Sequence, residues 1–308
     1  MKNYLNFNLT GKKVFPIWLL FYCSFLIPYV YILIIIQRAQ MGEIPPLYIY
    51  PVFICLFLIA LILIFYISKL MIEHISYKEK TIVFEGKFAE FIGIVLLGYF
   101  LSIITLGIYS PWFVRNLHSF FIDNSSCDSH KFKFQGKGGG LFKIITFTFI
   151  LPLIFLMIFM VSYLMNNSGV TPRSIVVFQQ LIIWCLMVPY MYLVHKWFVN
   201  IDFKDYNIRW ETNFWESCGK IALELFLSII TFGIYMPMAV LKLYKYFSER
   251  TVVKNQEITR KFGFDSDDLN DFLFIWGQLL LTVITFGIYY PWSICNVYSR
   301  LIGKTYLQ

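Results

Sequence analysis

The chain has 308 residues, of which 58% are hydrophobic, 20% aromatic and only 14% charged. Ordinary soluble domains carry about 25% charged residues, so this composition excludes a water-soluble globular protein. The formal net charge of +8 does not indicate nucleic-acid binding, because the Lys and Arg residues lie between apolar segments and form no single basic domain. Membrane orientation and anionic headgroups explain that distribution better.

Seven apolar segments follow one another along the chain and predict a mostly α-helical, polytopic membrane protein. The first, residues 15 to 36, holds 22 residues without a charge, which is enough to cross a hydrocarbon core of about 30 Å. It is too long and too aromatic for a cleaved signal peptide. The other segments are residues 47 to 68, 91 to 109, 144 to 165, 175 to 194, 221 to 235 and 272 to 290.

The sequence also contains an internal repeat. A shift of 126 residues places 84 to 111 on 210 to 237 without a gap, and the last part of the chain repeats the same stretch at a shift of 54. Each full copy holds three apolar segments, called a, b and c, whereas the last part holds only c. The predicted units are residues 1–130, residues 131–257 and a partial third unit, residues 258–308.

Short aromatic stretches with alternating apolar residues precede five of the segments and predict β-strands. Several are followed two residues later by Gly, which suits a strand that ends in a turn. The stretches are "FNL" at 7 to 9, "IVF" at 82 to 84, "FKF" at 132 to 134, "NIRW" at 207 to 210 and "FGF" at 262 to 264.

Positive charge is distributed unevenly around the segments. The loops between a and b, residues 37 to 46 and 166 to 174, hold only Arg38 and Arg173 of the 26 Lys and Arg. Since cytoplasmic loops retain positive charge, the N-terminus and both ends of c are predicted to be cytoplasmic. Segment c and the stretch after it would then form a membrane-embedded or interfacial hairpin. The alternative is that c crosses, which gives seven spans and an inverted second copy.

Each segment c ends in one phrase: "ITLGIYSPW" at 104 to 112, "ITFGIYMPM" at 230 to 238 and "ITFGIYYPW" at 284 to 292. Gly weakens a helix and Pro cannot continue one, so the phrase predicts a bend, while Tyr and Trp prefer the headgroup level. A substrate or ion site built on this break is the second interpretation. The bend residues are Gly107, Tyr109, Pro111, Trp112, Gly233, Tyr235, Pro237, Gly287, Tyr289, Pro291 and Trp292.

Polar side chains inside the segments c are candidates for an intramembrane site. Glu224 is interpreted as the one carboxylate well inside an apolar segment, and such acids are costly enough to indicate function. Its counterparts are Gly98 and Gln278, and Lys220 could pair with it. A proton-binding acid and a paired structural acid therefore both stay open. Hydroxyl groups able to bond freed carbonyls come from Thr105, Thr231 and Thr285.

Amphipathic stretches follow the three phrases at 113 to 122, 239 to 248 and 293 to 302. Apolar residues recur there at helical spacing with cations on the other face, as in helices that lie in the membrane interface. The candidate contacts to lipid phosphates are Arg115, Lys242, Lys245 and Arg300.

Catalytic and metal-binding patterns are missing from the sequence. It has neither HExxH nor GxSxG, so we expect no enzyme, no metal and no cofactor. Cys127 and His130 form an isolated two-ligand spacing, which is insufficient for zinc. "GKGGG" at 136 to 140 lacks the full phosphate-binding motif, and a flexible lead into segment a is the better interpretation.

The aromatic strand ending in Gly, the apolar segment, "ITLGIYSPW", the basic aromatic helix and "FKFQGKGGGLF" together resemble the YjgN family. The resemblance covers most of the chain and is most specific at residues 84 to 142. It implies a multi-pass protein of the bacterial inner membrane that belongs to a domain family of unknown function. Met238 departs from the expected Trp, and residues 203 to 216 are a weak version of the strand motif, so copy two is expected to have lost some interfacial anchoring.

Two functions remain open from the sequence. The first is passage of a small solute or lipid between the repeats, with Glu224 and the hydroxyl groups near the bends. The second is a non-transporting membrane module that binds anionic lipid or a partner protein through a basic cytoplasmic face. A continuous polar path would favour the first, and an apolar core with charge only at the rim would favour the second.

Overall fold

The computed structural model describes residues 2–42, 46–166 and 172–308, and it is mostly helical. The helices are α1 (Gly11–Phe21), α2 (Ile27–Gln40), α3 (Ile49–Glu73), α4 (Phe88–Ile104), α5 (Ser110–Asp123), α6 (Gly138–Ile145), α7 (Leu151–Asn166), α8 (Arg173–Phe198), α9 (Phe214–Ile230), α10 (Met236–Glu249), α11 (Asp268–Ile284) and α12 (Tyr290–Gly303). The strands are β1 (Asn3–Phe7), β2 (Ile75–Tyr77), β3 (Lys80–Phe84), β4 (Ser125–Cys127), β5 (His130–Phe134), β6 (Asn200–Phe203), β7 (Tyr206–Trp210), β8 (Thr251–Lys254), β9 (Thr259–Phe264) and β10 (Thr305–Leu307).

Four helical stretches in the described part of the chain are long and apolar enough to cross a membrane. They are Gly11–Gln40, Ile54–Glu73, Gly138–Asn166 and Arg173–Phe198. The first and third are continuous through short π-helical turns at Tyr22–Leu26 and Thr146–Ile150, which join α1 to α2 and α6 to α7. These stretches correspond to the a and b segments of the sequence, although the predicted loops 37 to 46 and 166 to 174 lie partly outside the described residues.

The three segments c are shorter. Helices α4, α9 and α11 have 17 residues each, below the roughly 20 that a spanning helix needs. A length of 17 residues is nevertheless the lower limit of the range for spanning helices. Each of the three ends at the repeated phrase, and a second helix of 14 residues follows. Along the chain, each helix pair therefore begins after one strand and ends before another.

One compact unit consists of Met1–Gly93, Ser125–Ser129 and Leu269–Tyr306. Its antiparallel strands β1, β2, β3 and β4 pair in sequence order, and β10 lies on the other side of β1. Phe7, Val14 and Cys295 form a buried cluster against Leu70 and neighbouring side chains. Because Leu70 is near the end of α3 and Val14 near the start of α1, the two helices run antiparallel.

The second compact unit consists of Ile94–Asn124, His130–Asp268 and Leu307–Gln308. Its strands β5 to β9 form an antiparallel meander in sequence order. Buried Leu141 at the start of α6 contacts Trp197 at the end of α8, so these two helices also run antiparallel. The boundaries of both compact units follow packing, whereas the predicted units 1–130, 131–257 and 258–308 follow sequence repetition and stay a prediction.

The strands extend beyond the five predicted stretches. β3, β5, β7 and β9 contain four of those stretches, whereas β1 ends at Phe7, where "FNL" begins. The even-numbered strands were not expected from the sequence. They are three or four residues long, which is too short for an alternating pattern to be recognised.

The last three residues of "GKGGG" form the first turn of α6, whereas Gly136 and Lys137 precede the helix, so most of the expected flexible lead is helical. Gly138 opens α6, and a Cβ atom there would lie 2.5 Å from the Trp112 ring, whereas a Cβ atom on Gly139 meets no described atom within 4 Å. We therefore expect Gly138→Ala to lower the free energy of unfolding by about 1–3 kcal/mol through overpacking. Gly139→Ala should be neutral or stabilising. Thermal unfolding in detergent compares the two, and equal stability would contradict the close contact.

Candidate functional site in the helical hairpins

The repeated phrase folds into the same bend at its three occurrences. Leu106 and Gly107 follow the end of α4 with φ angles of 51° and 89°, so the chain turns through two left-handed residues. Phe232 with Gly233 and Phe286 with Gly287 do the same, with φ between 50° and 88°. Gly adopts this conformation without strain, which explains its place in the phrase. The Gly amides bond back to the residue five positions earlier, as in a helix-ending Schellman motif.

A threonine hydroxyl joins the two helices of each bend. In the second bend, Thr231 Oγ1 donates to the carbonyl of Leu227 at 2.8 Å and accepts the backbone N–H of Tyr235 at 3.0 Å. Thr105 and Thr285 bond in the same way. The hydroxyl thus supplies an acceptor for an N–H group at the start of the next helix, which would otherwise lack one.

Changing this threonine tests the bend. We expect Thr231→Val to lower the free energy of unfolding by about 1–3 kcal/mol, because the Tyr235 amide loses its acceptor. Thr231→Ser keeps the hydroxyl and should restore most of the loss. Chemical unfolding of the detergent-solubilised protein measures both. A serine variant as unstable as the valine variant would show that methyl packing, and not the hydrogen bond, holds the bend.

Antiparallel packing of α9 and α10 surrounds Glu224 with partners. The carboxylate is 1% exposed and accepts Lys220 Nζ at 2.6 Å and the Tyr235 hydroxyl at 2.9 Å, one on each oxygen. Lys242 Nζ donates to the same Tyr235 hydroxyl at 2.9 Å. This hydrogen bond raises the pKa of Lys242 above its usual value, so the amine stays charged beside the carboxylate. The carboxylate is therefore neutralised within its own hairpin.

The equivalent positions form a neutral version of this cluster in α11 and α12. Gln278 Oε1 accepts the Tyr289 hydroxyl at 3.3 Å and Asn296 Nδ2 at 3.0 Å. These three residues stand 54 positions after Glu224, Tyr235 and Lys242.

In α4 and α5 the position equivalent to Glu224 is Gly98, where a Cβ atom would lie 2.0 Å from the Phe113 ring. Asn116 still donates to the Tyr109 hydroxyl at 3.4 Å. The equivalent position thus holds an ion-paired carboxylate in the second hairpin, a hydrogen-bonded amide in the third and a closely packed glycine in the first. The hydroxyls of Tyr109, Tyr235 and Tyr289 all form hydrogen bonds inside their own hairpins.

A second buried carboxylate, Asp271, was not among the residues predicted from the sequence. It is 1% exposed and accepts Arg300 Nε at 2.5 Å and Lys304 Nζ at 2.5 and 2.8 Å. Asp271 immediately precedes the predicted segment 272 to 290, so the apolar pattern alone places it in a loop. Its counterpart 54 residues earlier is Ser217, which bonds the Tyr246 hydroxyl at 2.9 Å. Both residues are polar, so an alignment of the two repeats at this position would have indicated a polar contact with the partner helix.

The four cations proposed as lipid-phosphate contacts bind inside the protein. Arg115 donates to the carbonyl of Gly136, Lys245 to the Ser266 hydroxyl, and Lys242 and Arg300 take part in the clusters above. These bonds direct each side chain at a neighbouring element, and contact with lipid phosphates stays a prediction.

The tryptophans of the phrase pack against helix starts. Trp112 lies against Gly138 and Trp292 against Gly11, the first residues of α6 and α1. Position 238, in contrast, precedes β8 and β9 and no span-length helix. Trp292 also precedes no span-length helix and still covers the start of α1, so chain order does not explain Met238, and the expected loss of interfacial anchoring stays a prediction.

The part of the chain that the structure describes contains no group of three His, Cys, Asp or Glu side chains suited to a metal ion. The candidate residues thus divide into bends, formed by the phrase and its threonines, and two charged clusters between paired helices.

Comparison with known proteins identifies the family of the chain. Over 74 residues the chain is 32% identical to the inner membrane protein YjgN of Salmonella typhimurium, a stretch that makes up 24% of this chain and 19% of that relative. No solved structure matches the chain. The family model for bacterial proteins of unknown function DUF898 matches residues 3–267, and the resemblance to YjgN proteins is thereby confirmed. The chain belongs to this DUF898 family.

Proposed function

We propose that the protein is a multi-pass inner-membrane module that binds anionic lipid headgroups and does not carry a solute. The main support for this proposal is the position of exposed lysines, which lie at the ends of helices that are next to the strands. Lys12 lies in the first turn of α1, Lys87 and Lys137 lie immediately before α4 and α6, and Lys143 lies in the last turn of α6, near the start of the span-length stretch Gly138–Asn166. A lysine close to an anionic membrane surface contributes about 1 kcal/mol to binding, so several of them give a useful affinity.

The topology follows from the helix pairs. Each span-length pair leaves a strand, crosses and returns, and each shorter pair turns back at its bend. Both ends of all pairs then face the side with most of the Lys and Arg, which is the cytoplasm by the positive-inside tendency. The N-terminus and the strands are accordingly assigned to the cytoplasmic side, and the lysines at the helix starts to the level of its headgroups.

The state of Glu224 supports a non-transporting role. A proton- or solute-coupling acid must exchange its partner during the cycle, whereas both oxygens of Glu224 are bonded within one hairpin. The neutral cluster of Gln278 and Tyr289 at the equivalent position supports the same conclusion. Solute passage would need Glu224 for activity, whereas the lipid-binding module needs it only for stability.

Lipid-dependent stabilisation tests the binding proposal. We expect phosphatidylglycerol to raise the unfolding temperature of the detergent-solubilised protein more than phosphatidylcholine does, because a ligand bound only by the folded state stabilises it. In Lys87→Gln/Lys137→Gln this difference in unfolding temperature should be smaller. Expressed as a free energy of unfolding, the stabilisation by phosphatidylglycerol should fall by about 1 kcal/mol per lysine removed.

The matched control removes the same charge elsewhere. Lys78 and Lys204 lie in the β2–β3 and β6–β7 turns, at the ends of the strands away from the helices. Lys78→Gln/Lys204→Gln should keep the full phosphatidylglycerol response. An equal loss in both double variants would mean that net charge alone attracts the lipid, and an unchanged response in Lys87→Gln/Lys137→Gln would overturn the site.

A further inference from the structure

The three bends expose large apolar side chains at their tips. Leu106 is 93% exposed, Phe232 97% and Phe286 83%. These residues occupy the left-handed position of each bend, where a polar Asn or Gly would be usual in water. The helix turns beside them are apolar as well, with exposed Ile103, Ile104, Ile108, Ile229, Ile230, Ile234, Val283, Ile284 and Ile288.

The backbone of the first bend has a partner for every N–H group. From Thr105 to Phe113, each amide donates to a carbonyl or to the Thr105 hydroxyl, except at Pro111, which has no N–H. The third bend repeats this from Thr285 to Ser293, again with Pro291 as the exception. Because proline has no backbone N–H group, its position in the bend needs no acceptor. A bend without unpaired donors can leave water, whereas an ordinary loop cannot enter hydrocarbon.

Two hydrogen bonds show where the third bend lies along a span-length helix. The carbonyl of Gly287 accepts Trp18 Nε1 at 3.0 Å and that of Phe286 accepts the Tyr22 hydroxyl at 3.2 Å. Trp18 and Tyr22 lie roughly 10 to 17 Å along the helix from Gly11. Since α1 and α2 form a span-length helix, the bend lies beside that helix beyond its basic start, and its carbonyls have donors there.

The second bend shows the same relation to another span-length helix. The half of α9 nearest the bend, from Ala222 to Ile229, lines an apolar groove of about 600 Å³ together with α8. The α8 side of this groove runs from Val177 to Val188, the middle of a helix of 26 residues. The bend therefore follows a stretch that packs along the central part of α8.

We propose that the three bends are membrane-embedded tips that bind the acyl chains of the cytoplasmic leaflet. The inference rests on the proposed function in one respect, the placement of the protein in the inner membrane. It adds a second class of lipid contact, hydrocarbon at Leu106, Phe232 and Phe286, to the headgroup contacts of the lysines. The "GIYxP" phrase is then a turn whose backbone N–H groups are bonded, as in the first and third bends, so that it can lie in hydrocarbon.

Fluorescent labelling tests the depth of each tip. A variant without native cysteines, carrying Leu106→Cys, Phe232→Cys or Phe286→Cys, is labelled with an environment-sensitive fluorophore and reconstituted in phosphatidylcholine vesicles. We expect blue-shifted emission, quenching by nitroxides on the lipid acyl chains and none by aqueous iodide. Glu79→Cys, in the exposed β2–β3 turn, should behave in the opposite way. Iodide quenching of the tips without acyl-chain quenching would overturn the proposal.

Hydrogen exchange of the unmodified protein gives a second measurement that does not depend on whether the labelled variants fold. In the same vesicles, amides of residues 104–110 should exchange more slowly than those of the strand turns, and rapid exchange would contradict burial in hydrocarbon. Both measurements use neutral lipid, so they succeed or fail independently of phosphatidylglycerol binding. A loss of the phosphatidylglycerol response with protected tips would reject only the headgroup site.

Discussion

Asp271→Ala is expected to lower the free energy of unfolding by about 3–5 kcal/mol. Asp271 is buried and accepts both Arg300 and Lys304. Removing the carboxylate leaves two cations close together without their acceptor, and breaking a buried ion pair costs far more than breaking an exposed one. Chemical unfolding of the purified protein in detergent measures the loss.

The control for this prediction lies in the same helical turn. Asp268 is exposed, so Asp268→Ala removes an equal charge from the start of α11 and should change stability by less than about 1 kcal/mol. Asp271→Asn keeps an acceptor of similar shape and should fall between the two. If Asp271→Ala and Asp268→Ala were equally mild, the cluster would have no role in holding α11 to α12.

Glu224→Ala is the second substitution with a large effect, and we expect a loss of about 3 kcal/mol. The value lies at the lower end for buried pairs because the Glu224 carboxylate has one cation bonded to it directly, Lys220, whereas the Asp271 carboxylate has two. The Tyr235 hydroxyl also loses its acceptor inside the hairpin. The measurement is again the unfolding free energy, with Glu216→Ala, an exposed acid of the same helix, as the control.

An exchange between hairpins separates the charge of this cluster from its shape. Glu224→Gln/Lys242→Asn copies the Gln278, Tyr289 and Asn296 arrangement into α9 and α10. We expect the double variant to be within about 1 kcal/mol of the native protein, because the glutamine keeps an acceptor for Lys220 and the Tyr235 hydroxyl while the charges of Glu224 and Lys242 are removed together. Lys220 keeps its charge, but its side chain is 31% exposed and can be hydrated. Stability similar to that of Glu224→Ala would show that the ionic form is required, and native stability with loss of a transport activity would revive solute passage.

The elements that could be predicted from the sequence are those that depend on residues close together in the chain. Long apolar segments predicted the span-length helices, and the Gly and Pro of the repeated phrase predicted the bends, because both signals depend on neighbouring residues alone. Aligning the copies also singled out Glu224 by its unlike counterparts Gly98 and Gln278. The prediction that these residues belong to one repeated hairpin position came from spacing and needed no tertiary contact.

Contacts between distant residues were beyond the sequence pattern. Arg115, Lys245 and Arg300 were predicted as contacts to lipid phosphates because helical spacing shows only which face of the helix they occupy. Their partners lie 21, 21 and 29 residues away. The even-numbered strands are recognisable only beside a neighbouring strand, since three residues such as Ser125–Cys127 form a strand through pairing and not through their own pattern.

Cysteine accessibility at the strand turns tests the central claim, that the paired helices at the repeated phrase return to the side from which they start. Cysteines at Glu79 and Ser129, both exposed and separated by α4 and α5, are compared in a variant without native cysteines. Labelling in intact cells and in inverted vesicles with a reagent that does not cross the membrane should show both sites on the cytoplasmic face. Labelling of Glu79 and Ser129 from opposite faces would mean that segment c crosses the membrane, which would contradict the hairpin topology.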